Sequence, residues 1–217
     1  MRNKRKSISL LGWIIGALLL IYLGVFCYLN LCKYAQHVDS DIAAEALLAR
    51  EIWVEKDITP NDWISSTERR IIGMPTVAAV FYGITGSMQT AAGITCVLLG
   101  AILLGIFYFF LRKLSLSRPA SITALCALPI NGFRNEGQMV PFVTLLLFLF
   151  AEYYVFHGIF LFFNILFYLK LKENRQMNRK TFLEWLVLFI AAVLLNCGGQ
   201  RCLQVIILPL LVVEVIA

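Results

Sequence analysis

Long apolar runs separated by short charged or Gly- and Pro-containing stretches set the pattern of this chain. The first run, residues 8–32 (ISLLGWIIGALLLIYLGVFCYLNLC), exceeds the roughly 20 residues that cross a bilayer as helix. It follows Arg2, Lys4, Arg5 and Lys6. A signal peptide has an apolar region of about 7–15 residues and a small-residue cleavage site. This run is longer and lacks such a site, so it reads as an uncleaved span. The pattern then changes over residues 33–73. DIAAEALLAREIW sets Ile42, Ala46, Ala49 and Trp53 on one helical face, with charged residues on the other. In TPND, Thr59 and Pro60 stand where an N-cap and a first helical residue belong. Ser65 and Glu68 have capping-box spacing and open a second helix over 66–84. Residues 33–73 therefore read as a loop whose amphipathic helices lie along a membrane surface.

Residues 74–111 are apolar for longer than one span needs, and Gly83, Gly86 and Ser87 mark a break. The span proper is then 88–111. PASITALCALPI, too short to cross comfortably, opens a tilted helix over 119–134 that ends in the polar turn NGFRNEGQ. A re-entrant piece over 139–151 precedes a span at 153–171; further spans follow at 181–196 and 202–217. The predicted fold is an all-α polytopic membrane protein, a single membrane domain with about six membrane helices. A transmembrane barrel would alternate apolar and polar residues, and no such alternation occurs.

Composition agrees with this class. The chain is 60% hydrophobic and 15% charged, where soluble domains run near a quarter charged. The formal charge of +6 does not point to nucleic acid, because the basic residues gather at the ends of spans. Arg112, Lys113 and Arg118 follow one span; Lys170, Lys172, Arg175, Arg179 and Lys180 lie between two others. The positive-inside rule puts these clusters and the N-terminus in the cytoplasm and residues 33–73 outside an enclosing plasma membrane. Membrane lipid with anionic headgroups is their expected partner. None of the six cysteines forms a CxxC pair, and they read as small hydrophobes.

That topology gathers Asp39, Asp41, Glu45, the 131–138 turn, His157 and Arg201 on the extracytoplasmic side. A carboxylate there can act as a general base on an incoming hydroxyl or amine. The Arg201 guanidinium, in CGGQR, can grip a phosphate bidentately. Gly198 and Gly199 let backbone approach that group, and His157 is a second candidate phosphate contact. Each residue also has a structural reading. Asp39 and Asp41 suit a helix N-terminus, and Glu45 can face water four residues after Asp41. Arg201 can anchor at the interface, and His157 can pack among aromatics. An ionisable residue inside a membrane is nonetheless a functional candidate by default.

The order of these features resembles the GT-C superfamily of polytopic glycosyltransferases. More narrowly, it is similar to bacterial membrane proteins of the protein O-mannosyltransferase and aminoarabinose-transferase group. The similarity is carried by a basic N-terminus, one span, HVDSDIAAEALLAREI, NDWISSTERRI, EYYVFHGI and CGGQRCLQVIILPLL. The resemblance implies a polyprenyl-phosphate-linked sugar donor, an acceptor of unknown identity, and neither metal nor cofactor. It implies Asp39 as base, with Asp41 the competing choice, Glu45 as a second acidic residue, and Arg201 and His157 as phosphate contacts. Family members usually carry more spans, and this sequence stops at VVEVIA; the resemblance then implies a truncated or degenerate copy. The competing expectation is a non-catalytic membrane protein: a lipid-linked-sugar transporter or an accessory subunit of cell-envelope polysaccharide assembly. A transporter would favour internal repeats and ionisable residues near mid-bilayer, and no repeat is visible here.

Overall fold

The computed structural model describes residues 10–33, 35, 38, 40–64, 71–127, 155–174, 178–196, 208, 209 and 212, with Asp41 described by its backbone alone. All regular structure among the described residues is helical. In chain order the helices are α1 (Leu10–Cys32), α2 (Ser40–Glu55), α3 (Met74–Thr85), α4 (Met88–Lys113), α5 (Arg118–Ala127), α6 (Val155–Asn174) and α7 (Arg179–Asn196). Of the six membrane helices expected from the sequence, two meet the test of length and composition among these residues, α1 and α4. The α3 helix and the Val155–Lys170 part of α6 are apolar but shorter. The helix α7 carries Arg179, Lys180 and Glu184 in its first two turns. The polar turn at 131–138, the re-entrant piece at 139–151 and most of 202–217 lie outside the described residues.

The break expected at Gly83–Ser87 falls at Gly86 and Ser87. Gly86 ends α3 with φ of 67°, and its N–H donates to the Tyr82 carbonyl. This left-handed conformation costs glycine nothing. Ser87 then caps α4, its Oγ accepting from the Thr90 N–H at 3.3 Å. A two-residue link of this kind folds α3 back along α4. The helix expected over 66–84 therefore begins only at Met74, with Pro75 in its first turn, where a missing N–H costs nothing. It also lies against α4 instead of along a membrane surface. Residues 65–70, which include the Ser65–Glu68 pair, are outside the described residues. Thr59 and Pro60 do not open a helix. The Asp57 carboxylate accepts from the Thr59 N–H at 2.9 Å, and the Trp63 N–H donates to the Pro60 carbonyl. Side-chain acceptance of this kind competes with helix and makes a turn.

Close approach of α1 and α4 is set by small residues. A Cβ on Gly93 would stand 2.1 Å from the Asn30 carbonyl oxygen, and one on Gly100 would stand 2.4 Å from the Phe26 ring. Small residues at a helix interface let backbones touch, which drives association where lipid removes the hydrophobic drive. The pairings Asn30–Gly93 and Phe26–Gly100 make α1 and α4 antiparallel. The predicted apolar face of α2 is the one that packs: Ile42, Ala46, Ala49 and also Ile52 are buried. Trp53 shares that face but stays 38% exposed, because its indole lies flat over Gly83 of α3, with the Lys56 ammonium on the ring.

The remaining helices complete the bundle. The α5 helix packs on α1 and α4. Along α6, Val155 packs with Leu99 and Leu103, and Phe162 meets Phe107 and Phe110 at ring separations of 5.0 and 5.2 Å. Those contacts make α6 parallel to α4. Asn178 caps α7 through the Thr181 N–H, and α7 returns antiparallel to α6. These directions bring Arg112, Lys113 and Arg118 to the same end of the bundle as Lys170, Arg179 and Lys180.

Candidate functional site beside the starts of two helices

The acidic segment leads directly into α2, whose first residue is Ser40. Where α2 points decides where that segment sits. Trp53, near the end of α2, covers Gly83 near the end of α3. Ile42 and Ala49 share one buried cluster with Met74, Ala78, Ala92, Cys96 and Phe26. The two helices therefore run side by side in the same direction, and the start of α2 lies beside the start of α3. Val38, one residue before Asp39, packs against that same cluster.

Val155 of α6 packs on the next stretch of α4. On α4, Ala92 and Cys96 face α2 and α3, while Leu99 and Leu103 face Val155. These four positions lie on one face of α4 at spacings of three and four residues. Thus α3 and α6 occupy successive stretches of a single face of α4. Met74, the first residue of α3, and Val155, the first described residue of α6, are both 0% exposed. They lie along neighbouring stretches of the middle third of α4. By the 1.5 Å rise per residue, Cys96 to Leu103 lies about 12–22 Å from the Met88 end.

Of the predicted site residues, Glu45 and His157 are described with their side chains. Glu45 is half-buried and falls between Ile42, Ala49 and Ile52 on the packed side of α2, not on its water-facing side. His157, also half-buried, follows Val155 by two residues in α6. Asp41 sits in the first turn of α2. Asp39 and Arg201, with Gly198 and Gly199, lie outside the described residues. The chemistry was expected at the outer mouth of the bundle. The first turns of α2 and α3 lie down α4 from its Met88 end, because α3 folds back along α4 and α2 runs beside it.

Each helix start presents unpaired N–H groups and about half a positive charge. Gly73, before α3, offers no side-chain cap. The starts of α2 and α3, side by side, make a region that suits carboxylates and phosphate alike. Among the described residues, no group of three or more His, Cys, Asp and Glu side chains stands close enough to hold a metal ion.

Two polar features escaped the sequence reading. Asn30, 1% exposed, donates its amide to the Phe26 carbonyl at 3.0 Å. Its Oδ1 is buried and accepts no hydrogen bond among the described residues. The lone asparagine in CYLNLC was the available signal. The second feature is the Lys170–Glu184 ion pair joining α6 to α7; it is nonlocal and leaves no spacing to read. No protein-family model, no curated protein and no solved structure matches this chain.

Proposed function

We propose that this chain is a GT-C-type membrane glycosyltransferase that moves a sugar from a polyprenyl-phosphate donor to an acceptor on the extracytoplasmic face of the plasma membrane. The observation that supports this reading is that the acidic segment leads into α2, which packs with α3 on α4, while His157 follows Val155, which packs on the next stretch of α4. Basic residues gathered at one end of the bundle favour a cytoplasmic N-terminus and an extracytoplasmic Met88 end of α4.

In this reading Asp39 takes the proton from the acceptor hydroxyl as its oxygen attacks the anomeric carbon. The bond from that carbon to the lipid phosphate breaks, and the phosphate leaves with the electron pair. Arg201 and His157 hold the phosphate, and the helix starts favour its charge. Asp41 and Glu45 are the neighbouring carboxylates, placed to orient the acceptor.

The test uses membranes containing the full chain and a labelled polyprenyl-phosphate sugar. Transfer to an acceptor is scored separately from movement of the lipid between leaflets. Asp39→Asn is expected to abolish transfer at unchanged membrane expression. Asparagine caps a helix about as well as aspartate, so lost capping does not explain lost activity. Full transfer by Asp39→Asn removes Asp39 as base; lipid movement without transfer favours a transporter.

A further inference from the structure

At the basic end of the bundle, α6 and α7 diverge around an apolar cleft of about 490 Å³. Phe163 and Phe167 form one wall, and Leu183 and Val187 the other. The Lys170–Glu184 pair closes the polar end. From Phe163 to Lys170 the cleft runs seven residues of helix, about 10 Å. Its walls open sideways, since Phe163, Leu183 and Val187 are 46%, 61% and 60% exposed.

Among the described residues the charge at the polar end is not balanced. Glu184 neutralises Lys170. Arg179 and Lys180, both exposed, stand one turn earlier on the face of α7 that carries Leu183 and Glu184. A sideways-open apolar slot, with two cations at its rim that no described acid pairs, is complementary to an amphiphile with a negative head. We propose that this cleft seats an acyl chain of an anionic phospholipid, with the phosphate held by Arg179 and Lys180. A neutral lipid satisfies the walls and leaves the cations without a role. A soluble phosphate satisfies the cations and leaves the walls bare. The volume lies within the roughly 300–1,000 Å³ range of small-molecule sites. Juxtamembrane basic residues are the usual lipid-headgroup partners. The inference is independent of the glycosyltransferase reading, since it concerns the other end of the bundle.

The full chain in a neutral maltoside detergent is titrated with dioleoyl phosphatidylglycerol, dioleoyl phosphatidylcholine and glycerol 3-phosphate, and bound lipid is counted by native mass spectrometry. Phosphatidylglycerol is expected to bind at least tenfold more tightly than phosphatidylcholine, and glycerol 3-phosphate is expected not to compete. Removing both cations (R179A with K180A) is expected to weaken phosphatidylglycerol roughly 25-fold, about fivefold per charge at a membrane surface. Val187→Trp, which fills the slot, is expected to weaken both lipids. Equal binding of the two lipids overturns the proposal. So does unchanged phosphatidylglycerol binding in the charge-removed variant, or competition by glycerol 3-phosphate. Arg179 and Lys180 are exposed, so that variant keeps the fold and tests the idea even if Val187→Trp does not.

Discussion

Adding one methyl group at Gly93 tests the α1–α4 contact that supports the α2 and α3 packing. The Cβ of Gly93→Ala would lie 2.1 Å from the Asn30 carbonyl oxygen, where ordinary contact begins at 3.4 Å. The obstacle is backbone, so no rotamer change relieves it, and α1 must retreat by about 1.3 Å. A gap of 0.5–1 Å already forfeits about a quarter to a half of a dispersion contact. The retreat therefore loosens Phe26 against Gly100 as well. Overpacking of this kind costs about 1–3 kcal/mol. At Gly105, on the same helix, a new Cβ meets nothing within 4 Å, and Gly→Ala there gains about 0.5–1 kcal/mol of helix propensity. The two variants should differ by about 1.5–4 kcal/mol. Gly100→Ala meets the Phe26 ring and Gly83→Ala meets the Trp53 ring; both obstacles are side chains. Phe26 is 4% exposed and Trp53 38%, so the ring over Gly83 has more freedom to move aside. Stability should then fall in the order Gly105→Ala, Gly83→Ala, Gly100→Ala, Gly93→Ala. The assay is unfolding of the purified protein in mixed micelles of rising sodium dodecyl sulfate fraction, followed by tryptophan fluorescence. A Gly93→Ala midpoint equal to that of Gly105→Ala would refute the close approach.

The same assay carries three further expectations. Ser87→Ala removes the acceptor for the Thr90 N–H and should cost about 1 kcal/mol, while Ser87→Asp should not; equal effects would mean the cap is idle. Asn30→Leu removes a buried oxygen with no donor among the described residues and should be neutral or stabilising by about 1 kcal/mol. A loss above that would mean Oδ1 is held. Lys170 and Glu184 keep 43% and 33% of their side chains exposed, so solvent screens the pair. A double-mutant cycle should return a coupling of at most about 1 kcal/mol, and a coupling near 3 kcal/mol would show the pair to be desolvated.

Local features of the fold were legible because their signals are local. Gly86 and Ser87 announced the end of one helix and the cap of the next, and Ile42, Ala46 and Ala49 announced the packed face of α2. Thr59–Pro60 misled for an equally local reason: Asp57, two residues earlier, offers its carboxylate to the Thr59 N–H first. The direction of α3 was also within reach. A two-residue link between helices forces them antiparallel, but the apolar character of 74–85 drew it toward an interface instead. What no spacing encodes is that α6 continues along the face of α4 that α3 leaves. That arrangement rests on Leu99, Leu103 and Val155, which are ordinary aliphatic residues in runs of similar ones.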